Sequence, residues 1–473
     1  MAPFVNPAMT DTYDVIVIGG GSAGENAAQY AVEKTGLTCA LIEAERVGGE
    51  CSFWACMPSK ALLRPLDVAG AANHLDGISS VTVQRDALLA RRDTWRSDLD
   101  DSGQVEWAES LGIEVVRGRG RLAGQLRVDV ESDAGVRHLR ARHAVVLATG
   151  SEPVIPDDWA AVDPWTSRDA TGVTEVPGSI AIIGGGVVAC EAATWLNALG
   201  ADVTLLVRGD RLLQRFEECA SDAVAASLTE AGVRLRFGVT ASEPERDAPD
   251  ADRAVGRPHG GPVSVTIEGE RVSFDEVLVA TGRRPAAGDL GLAGVGLDPD
   301  DLDGRTRLAD GLYAVGDVTG GPPLTHWGKY QARRVGEAIA ARASGKDPGP
   351  VEPDDAVPVP QVVFTDPQVA QVGATAAEAA DAGREVRVVD EEMSAAAGFG
   401  LLRDDASGHA RLVIEGDRII GATFVGAEVG ELLHAATIAI VGRVPLATLR
   451  DAVPAYPTAS EIWLRLVESA VRS

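Results

Sequence analysis

The stretch YDVIVIGGGSAGENAAQYAVEKTGLTCALIEAE constrains the chain more than any other. Residues 15–18 are a short apolar run of the kind buried in a parallel sheet. The run passes directly into Gly19-Gly20-Gly21-Ser22-Ala23-Gly24; a helix is predicted from about residue 23 to 34, then a second strand over 38–42 that ends at Glu43. A turn of this composition has specific uses. Gly19 permits the tight turn, Gly21 lets the backbone approach a pyrophosphate, and Gly24 lets helix and strand pack closely. The pyrophosphate would rest on the helix N-terminus, where free N–H groups and the dipole favour an anion. Glu43, nineteen residues beyond Gly24, is placed to accept hydrogen bonds from a ribose.

The pattern recurs in SIAIIGGGVVACEAATWLNALGADVTLLVRGDRLL. Here a strand over 180–183 meets Gly184 and Gly186, Ala189 takes the third small position, and a helix leads to a strand over 203–207. Two βαβ nucleotide units about 165 residues apart imply two dinucleotides, one of them a candidate flavin. The second unit carries Val207-Arg208 where an NAD site usually places an acid. Arg208 suits a 2′-phosphate and so NADP, with Arg211 or Arg215 as a second contact. The competing reading of Arg208 is a solvated surface arginine.

HAVVLATGSEPVIP, containing Gly150, and DEVLVATGRRPAAG each read as a strand reaching a Thr-Gly turn. GLYAVGDVTGGPPLTHWGKYQARRVGEAIA reads as a strand ending at Gly316-Asp317 and a helix from about Thr325. Asp317 there either binds sugar hydroxyls of a cofactor's ribityl chain or caps a turn. The charged, Pro- and Gly-rich segment 246–262 reads as a mobile loop, and 343–355 as a linker. Beyond it, PQVVFTDPQVAQVG, ARLVIEGDRIIGATFVG and ELLHAATIAIV read as strands followed by a helix.

A chain of 473 residues has room for about three domains. Its net charge of −27, with four lysines among 43 basic residues, argues against nucleic acid or an anionic membrane surface as partner. The N-terminal MAPFVNPAMTDTYD has neither a basic n-region nor an apolar h-region, and no apolar run approaches a membrane span, so a cytoplasmic protein is expected. In a reducing compartment the close pair Cys51 and Cys56, two of five cysteines, points to redox chemistry or metal binding. No second ligand pair matches it, so no metal is expected. Cys39, Cys190 and Cys219 read as packed thiols.

These motifs resemble the FAD-dependent pyridine nucleotide–disulfide oxidoreductases, a family that includes dihydrolipoamide dehydrogenase, glutathione reductase and mercuric reductase. The carriers are GGGSAG with Glu43, Cys51-x4-Cys56 followed by PSK, ATG at 148–150, GGGVVACE, ATGRRP, Gly316-Asp317 with LTH, VFTDP, and YPTASE. The resemblance implies an α/β chain with two Rossmann-like domains and a C-terminal α+β dimerisation domain. Residues 1–156 and 284–350 would bind FAD, 157–283 NAD(P), and 351–473 would form the homodimer interface that completes the partner's site. It further implies that Cys56 faces the flavin and Cys51 is the interchange thiol, and that Lys60 and Glu191 pair near the flavin. Cys56 opens a predicted helix with Pro58 in its first turn, which should lower its thiolate pKa. Hydride equivalents would pass from NADPH, or NAD(H), through FAD to the Cys51–Cys56 disulfide and on to a small acceptor.

Several residues depart from the family pattern. Tyr456 stands where thiol reductases carry a histidine, although Glu461 is retained five residues later. A phenol near pKa 10 is a poor base at neutral pH; it can donate a hydrogen bond, coordinate an acceptor, or simply pack. None of the seven histidines takes the family position: His326 lies in LTH, His434 on a predicted interface helix, the others in polar or loop surroundings. Phe53 and Trp54, between the cysteines, either line the approach to the disulfide or fill core. Glu50 should raise the Cys51 pKa by charge repulsion, unless it is itself protonated and serves as the acid/base. Val187 replaces a frequent tyrosine at the nicotinamide gate. LRLVESAVRS carries no cysteines, which argues against mercury reduction. Two alternatives stay open: a quinone or other flavin-level reductase with a non-essential cysteine pair, and a flavin redox sensor acting through a partner.

Overall fold

The computed structural model describes residues 10–248, 250, 253–354 and 357–472. The chain divides into two compact units. One gathers the residues up to Met57, Asp93–Val154 and Arg283–Asp354; the other comprises Pro58–Arg92, Ile155–Gly282 and Asp355–Ser473.

In the first unit the strands Leu312–Ala314, Gly135–Leu147, Asp11–Ile18, Cys39–Glu43 and Ile113–Arg117 lie parallel in that order. Val15 pairs with Cys39 and Ile18 with Ile42, so the apolar run of the first fingerprint sits in the middle of the sheet. Val15, Ile16 and Val17 are wholly buried, each worth about 1.5–3 kcal/mol relative to exposure. An antiparallel extension, Arg119–Gly124 and Arg127–Ser132, pairs with the first half of Gly135–Leu147. The helices Ser22–Val32 and Thr325–Ala343 pack together through glycine. A Cβ on Gly336 would fall 2.6 Å from the Tyr30 Cβ and 2.9 Å from the Ala27 carbonyl oxygen. Both expected fingerprint strands are present, Asp11–Ile18 starting four residues early, and the helix from Thr325 begins where the sequence places it.

The second unit carries a four-stranded parallel sheet, Arg234–Phe237, Asp202–Val207, Ser179–Ile183 and Glu276–Val279, with a three-stranded antiparallel sheet, Ala241–Arg246, Val263–Ile267 and Glu270–Phe274. Its C-terminal part is a five-stranded antiparallel sheet in the order Gln361–Val363, Gln368–Gly373, Arg418–Gly426, His409–Glu415, Arg387–Glu392, against which Leu433–Val441 and Glu461–Arg472 pack. This α/β class, with two fingerprint sheets and an α+β C-terminal part, is the one expected. Of the segment 246–262, positions 249, 251 and 252 lie outside the described residues, as does 355 of the linker and the first nine residues of the N-terminal stretch. The described remainder of 246–262 is tied into the unit. Arg246 and Glu276, 1% and 0% exposed, form a buried ion pair, and the His259 N–H donates to Glu276 at 2.8 Å.

Candidate active site

The first glycine loop tolerates no side chain at its two ends. Gly19 has φ +102°, and a Cβ there would lie 2.3 Å from the Ala148 carbonyl oxygen; one on Gly24 would lie 1.9 Å from the Gly19 carbonyl oxygen. Gly21 caps the helix Ser22–Val32 in an extended conformation, with no side chain bonded to the helix N-terminus. Its neighbours are also glycine. Gly21 bridges Gly48, the Gly48 N–H donates to the Gly20 carbonyl at 2.7 Å, and a Cβ on Gly49 would meet the Gly21 Cα at 2.8 Å. The loop is thereby laced to the start of the short helix Gly49–Phe53, which holds Cys51. Glu43 accepts the Gly20 and Glu45 N–H groups, both at 2.7 Å, and burial raises its carboxyl above the usual range. A carboxylate has about four acceptor positions, so lone pairs are left for ribose hydroxyls.

Gly150 has φ +75° with open space around it. Asp317, in the turn Gly316–Thr319, accepts the Ser151 hydroxyl at 2.6 Å, and Arg283 donates to the same hydroxyl at 2.7 Å. Asp317 is therefore oriented by a chain of hydrogen bonds.

Cys56 opens the helix Cys56–Asn73, and its Sγ lies 3.3 Å from the Thr325 hydroxyl, itself the first residue of Thr325–Ala343. Cys51 and Cys56 are both part-buried. The Cys51 thiol is pushed well up, first by its hydrogen bond to Cys56, then by burial and the Cys56 charge; Thr325 and Lys329 act the other way. Phe53 and Trp54 are 1% and 7% exposed and belong to the core; the Arg96 guanidinium lies 5.6 Å from the Trp54 ring. They offer no stacking surface to an acceptor. Burial raises Cys39 and Cys190 to about 12 and Cys219 to about 11, keeping all three as thiols.

The second glycine loop repeats the geometry of the first. Gly184 has φ +134° and its Cβ would lie 2.4 Å from the Ala280 carbonyl oxygen; Gly186 caps Val187–Ala198 with no side-chain bond. Ala189 is wholly buried and the gate position Val187 is half-buried. Arg208, just past Asp202–Val207, is exposed. Arg211 is committed to the Phe216 and Gln214 carbonyls at 3.0 and 2.8 Å, which corrects its reading as a second phosphate contact; Arg215 is exposed. Lys60 and Glu191 meet as expected, at 2.8 and 3.1 Å, with the ammonium also 4.7 Å from the centre of the Phe364 ring.

Tyr456 is 77% exposed, not packed within the chain. Glu461 begins Glu461–Arg472 and accepts the Gly398 N–H at 3.4 Å. Three residues escaped the sequence reading: Thr325, Lys329 one turn after it, and Glu25 in the first turn of Ser22–Val32. Glu25 directly follows the glycine fingerprint, where its acidity was a usable signal. Burial raises its carboxyl to about 7, with Lys329 lowering it and Glu43 raising it.

Residues 13–345 match the pyridine nucleotide-disulphide oxidoreductase family and residues 359–467 its dimerisation domain. The chain belongs to this family. It is 30% identical to a dihydrolipoyl dehydrogenase of Chlamydia muridarum, covering 96% of each chain. It is 32% identical to a glutathione reductase of Burkholderia cepacia, over 96% of this chain and 98% of that one, and 30% identical to a mercuric reductase of Staphylococcus aureus, over 95% and 81%. The fold is that of the flavoprotein disulfide reductase RclA of Escherichia coli, with TM-score 0.81, 24% identity, and 97% and 99% of the two chains covered. FAD and a pyridine nucleotide are the cofactors of this oxidoreductase, and the two uncapped, glycine-lined helix N-termini fit two pyrophosphates. Among the described residues no helix is long and apolar enough to cross a membrane.

Proposed function

We propose that this oxidoreductase is a cytoplasmic homodimer that uses NADPH in preference to NADH and reduces a small disulfide through Cys51 and Cys56. The observation that carries the proposal is the cysteine pair itself. Two helix starts bring the thiols together, Thr325 is on Cys56, and Gly20, Gly21, Gly48 and Gly49 lace the pair to a nucleotide loop.

FAD, held by Gly19, Gly21, Gly24, Glu43, Gly150 and Asp317, supplies a carrier that accepts hydride from a nicotinamide and returns an electron pair. The chain does the sulfur chemistry. Two electrons and two protons convert the Cys51–Cys56 disulfide into two thiols. Cys51 loses its proton and its thiolate attacks one sulfur of the acceptor disulfide, whose S–S bond breaks as the Cys51–acceptor bond forms. The departing thiolate takes up a proton. The Cys56 thiolate then attacks Cys51, restoring the internal disulfide and releasing the second acceptor thiolate, which is protonated in turn. Lys60, fixed by Glu191, supplies the positive charge that the family pattern assigns to the flavin. Gly184 and Gly186 hold the nicotinamide nucleotide's pyrophosphate and Arg208 its 2′-phosphate. Residues 1–156 with 284–350, 157–283, and 351–473 are the FAD, NAD(P) and interface domains of this reading. Tyr456 and Glu461 lie on the interface domain, where Tyr456 is free to hydrogen-bond an acceptor bound against the partner subunit.

The exposed phenol in place of a histidine supports a second reading: reduction of quinones or similar acceptors at the level of the flavin, with the cysteine pair dispensable. Steady-state NADPH consumption with small disulfides and with quinones, compared in Cys56→Ser, separates the two. Loss of disulfide turnover alone supports the first reading. Undiminished turnover of every acceptor supports the second, and no turnover of any acceptor would point to a redox sensor.

A further inference from the structure

Residues 208–217 carry three arginines from the end of the strand Asp202–Val207 to the start of the helix Glu218–Glu230. This loop is closed upon itself. The Arg211 guanidinium donates to the carbonyls of Gln214 and Phe216, and the Gln214 side chain covers Gly209, where a Cβ would lie 1.8 Å from its Nε2. The ring is also tied to the second glycine turn: the Leu213 N–H donates to the Gly185 carbonyl at 2.8 Å. Arg208 stands at its start, next to Gly209, and is exposed.

The far end of the ring is held from a distant part of the chain. Gln371 lies in the antiparallel strand Gln368–Gly373 and is 8% exposed. Its Oε1 accepts the Glu217 N–H at 3.1 Å, and its Nε2 donates to the Arg215 carbonyl at 3.1 Å. The Thr423 hydroxyl, on the neighbouring strand, donates to the same Oε1 at 3.2 Å. Two donors at one end of the amide and an acceptor at the other fix which way it faces. The Glu217 carboxylate, itself buried, accepts the Ala376 N–H at 2.7 Å and the Arg411 guanidinium at 2.9 Å. Every one of these partners falls within the residues that match the dimerisation domain, so the arginine loop is clamped from outside the nucleotide unit.

Taking Arg208 as the 2′-phosphate contact of the function proposed above, we propose that Gln371 is a positioning residue for nucleotide choice, holding the loop that aims Arg208. A guanidinium binds phosphate bidentately only from a narrow range of orientations, and ordering a slack loop at the moment of binding costs affinity. With Gln371 in place, that ordering is complete before the nucleotide arrives. A nucleotide without the 2′-phosphate makes no use of Arg208 and gains nothing from the clamp.

Calorimetric titration of the flavin-loaded protein with NADP⁺ and with NAD⁺ tests this in Gln371→Leu, Arg208→Ala and the double variant. Gln371→Leu should weaken NADP⁺ binding by about fivefold and leave NAD⁺ binding within about twofold. In the Arg208→Ala background the same substitution should change NADP⁺ binding by less than about twofold, because the two residues act as one unit. Thr423→Val removes one donor from Oε1 while keeping the side chain's shape, and should weaken NADP⁺ selectively by a smaller factor. Equal weakening of both nucleotides in Gln371→Leu, unchanged NADP⁺ binding, or a loss that persists undiminished in Arg208→Ala overturns the inference alone. If Gln371→Leu does not fold, Thr423→Val decides by the same comparison: a selective loss of NADP⁺ supports the clamp, and an equal loss or none overturns it. NADP⁺ binding unaffected by Arg208→Ala overturns the reading of Arg208 and the inference with it.

Discussion

Glu191 holds Lys60 with both carboxylate oxygens, at 2.8 and 3.1 Å, and accepts the Phe364 N–H at 3.0 Å while only 4% exposed itself. Removing the lysine alone leaves a buried carboxylate with a single backbone donor. Lys60→Met is expected to cost about 3 kcal/mol in urea unfolding, and Lys60→Met with Glu191→Leu to recover most of that loss. If the pair serves the flavin, the double variant should fold well yet reduce its acceptor far more slowly than wild type.

The glycine fingerprint makes a prediction about cofactor retention. An alanine at Gly19 must adopt φ +102° and place its methyl 2.3 Å from a carbonyl oxygen; the left-handed backbone alone costs about 1–2 kcal/mol. Gly19→Ala and Gly24→Ala are each expected to weaken FAD binding by about tenfold or more, measured by flavin fluorescence released on dialysis. Gly186→Ala meets nothing within 4 Å and should leave FAD content unchanged.

His259 gives a pH dependence of stability. Burial acts to lower its pKa, but the Asp169 hydrogen bond, the Asp163 carbonyl at 2.9 Å and the charges of Asp169 and Glu276 outweigh that and hold it at about 9. A folded value above the unfolded value near 6.5 means that the stabilisation is complete below 6.5 and is lost as pH rises through 9. The difference corresponds to about 3 kcal/mol. The urea midpoint of the wild type should fall between pH 6 and pH 9.5, and His259→Gln should flatten that fall.

Arg208 carries the preference for NADPH. Arg208→Glu is expected to raise the KM for NADPH by about tenfold or more while leaving that for NADH little changed. A preference for NADH in the wild type, unaltered by the substitution, would remove the basis for assigning NADP.

What was legible in the sequence was local. Each glycine fingerprint declares its strand, turn and helix within about 30 residues, because backbone sterics at Gly19 and Gly24 or at Gly184 leave few alternatives. Cys51 and Cys56 are five apart, and the motif around them announced their pairing. Relationships across the chain were not legible. Helices Ser22–Val32 and Thr325–Ala343 lie some 300 residues apart in the sequence and pack together only because Gly328 and Gly336 let their backbones approach. Phe53 and Trp54 looked like candidate substrate contacts because composition does not say which way a side chain points, and packing sends both inward. Arg211 looked free for the same reason, since its carbonyl acceptors are set by the loop conformation that follows it.

The measurement closest to the central claim is a thiol count on the oxidised, flavin-loaded protein before and after anaerobic addition of NADPH. Peptides alkylated with iodoacetamide would be located by mass spectrometry. The account predicts two new labelled thiols, Cys51 and Cys56, and none gained at Cys39, Cys190 or Cys219. Bleaching of the flavin's visible absorbance without any new label at Cys51 or Cys56 would contradict it.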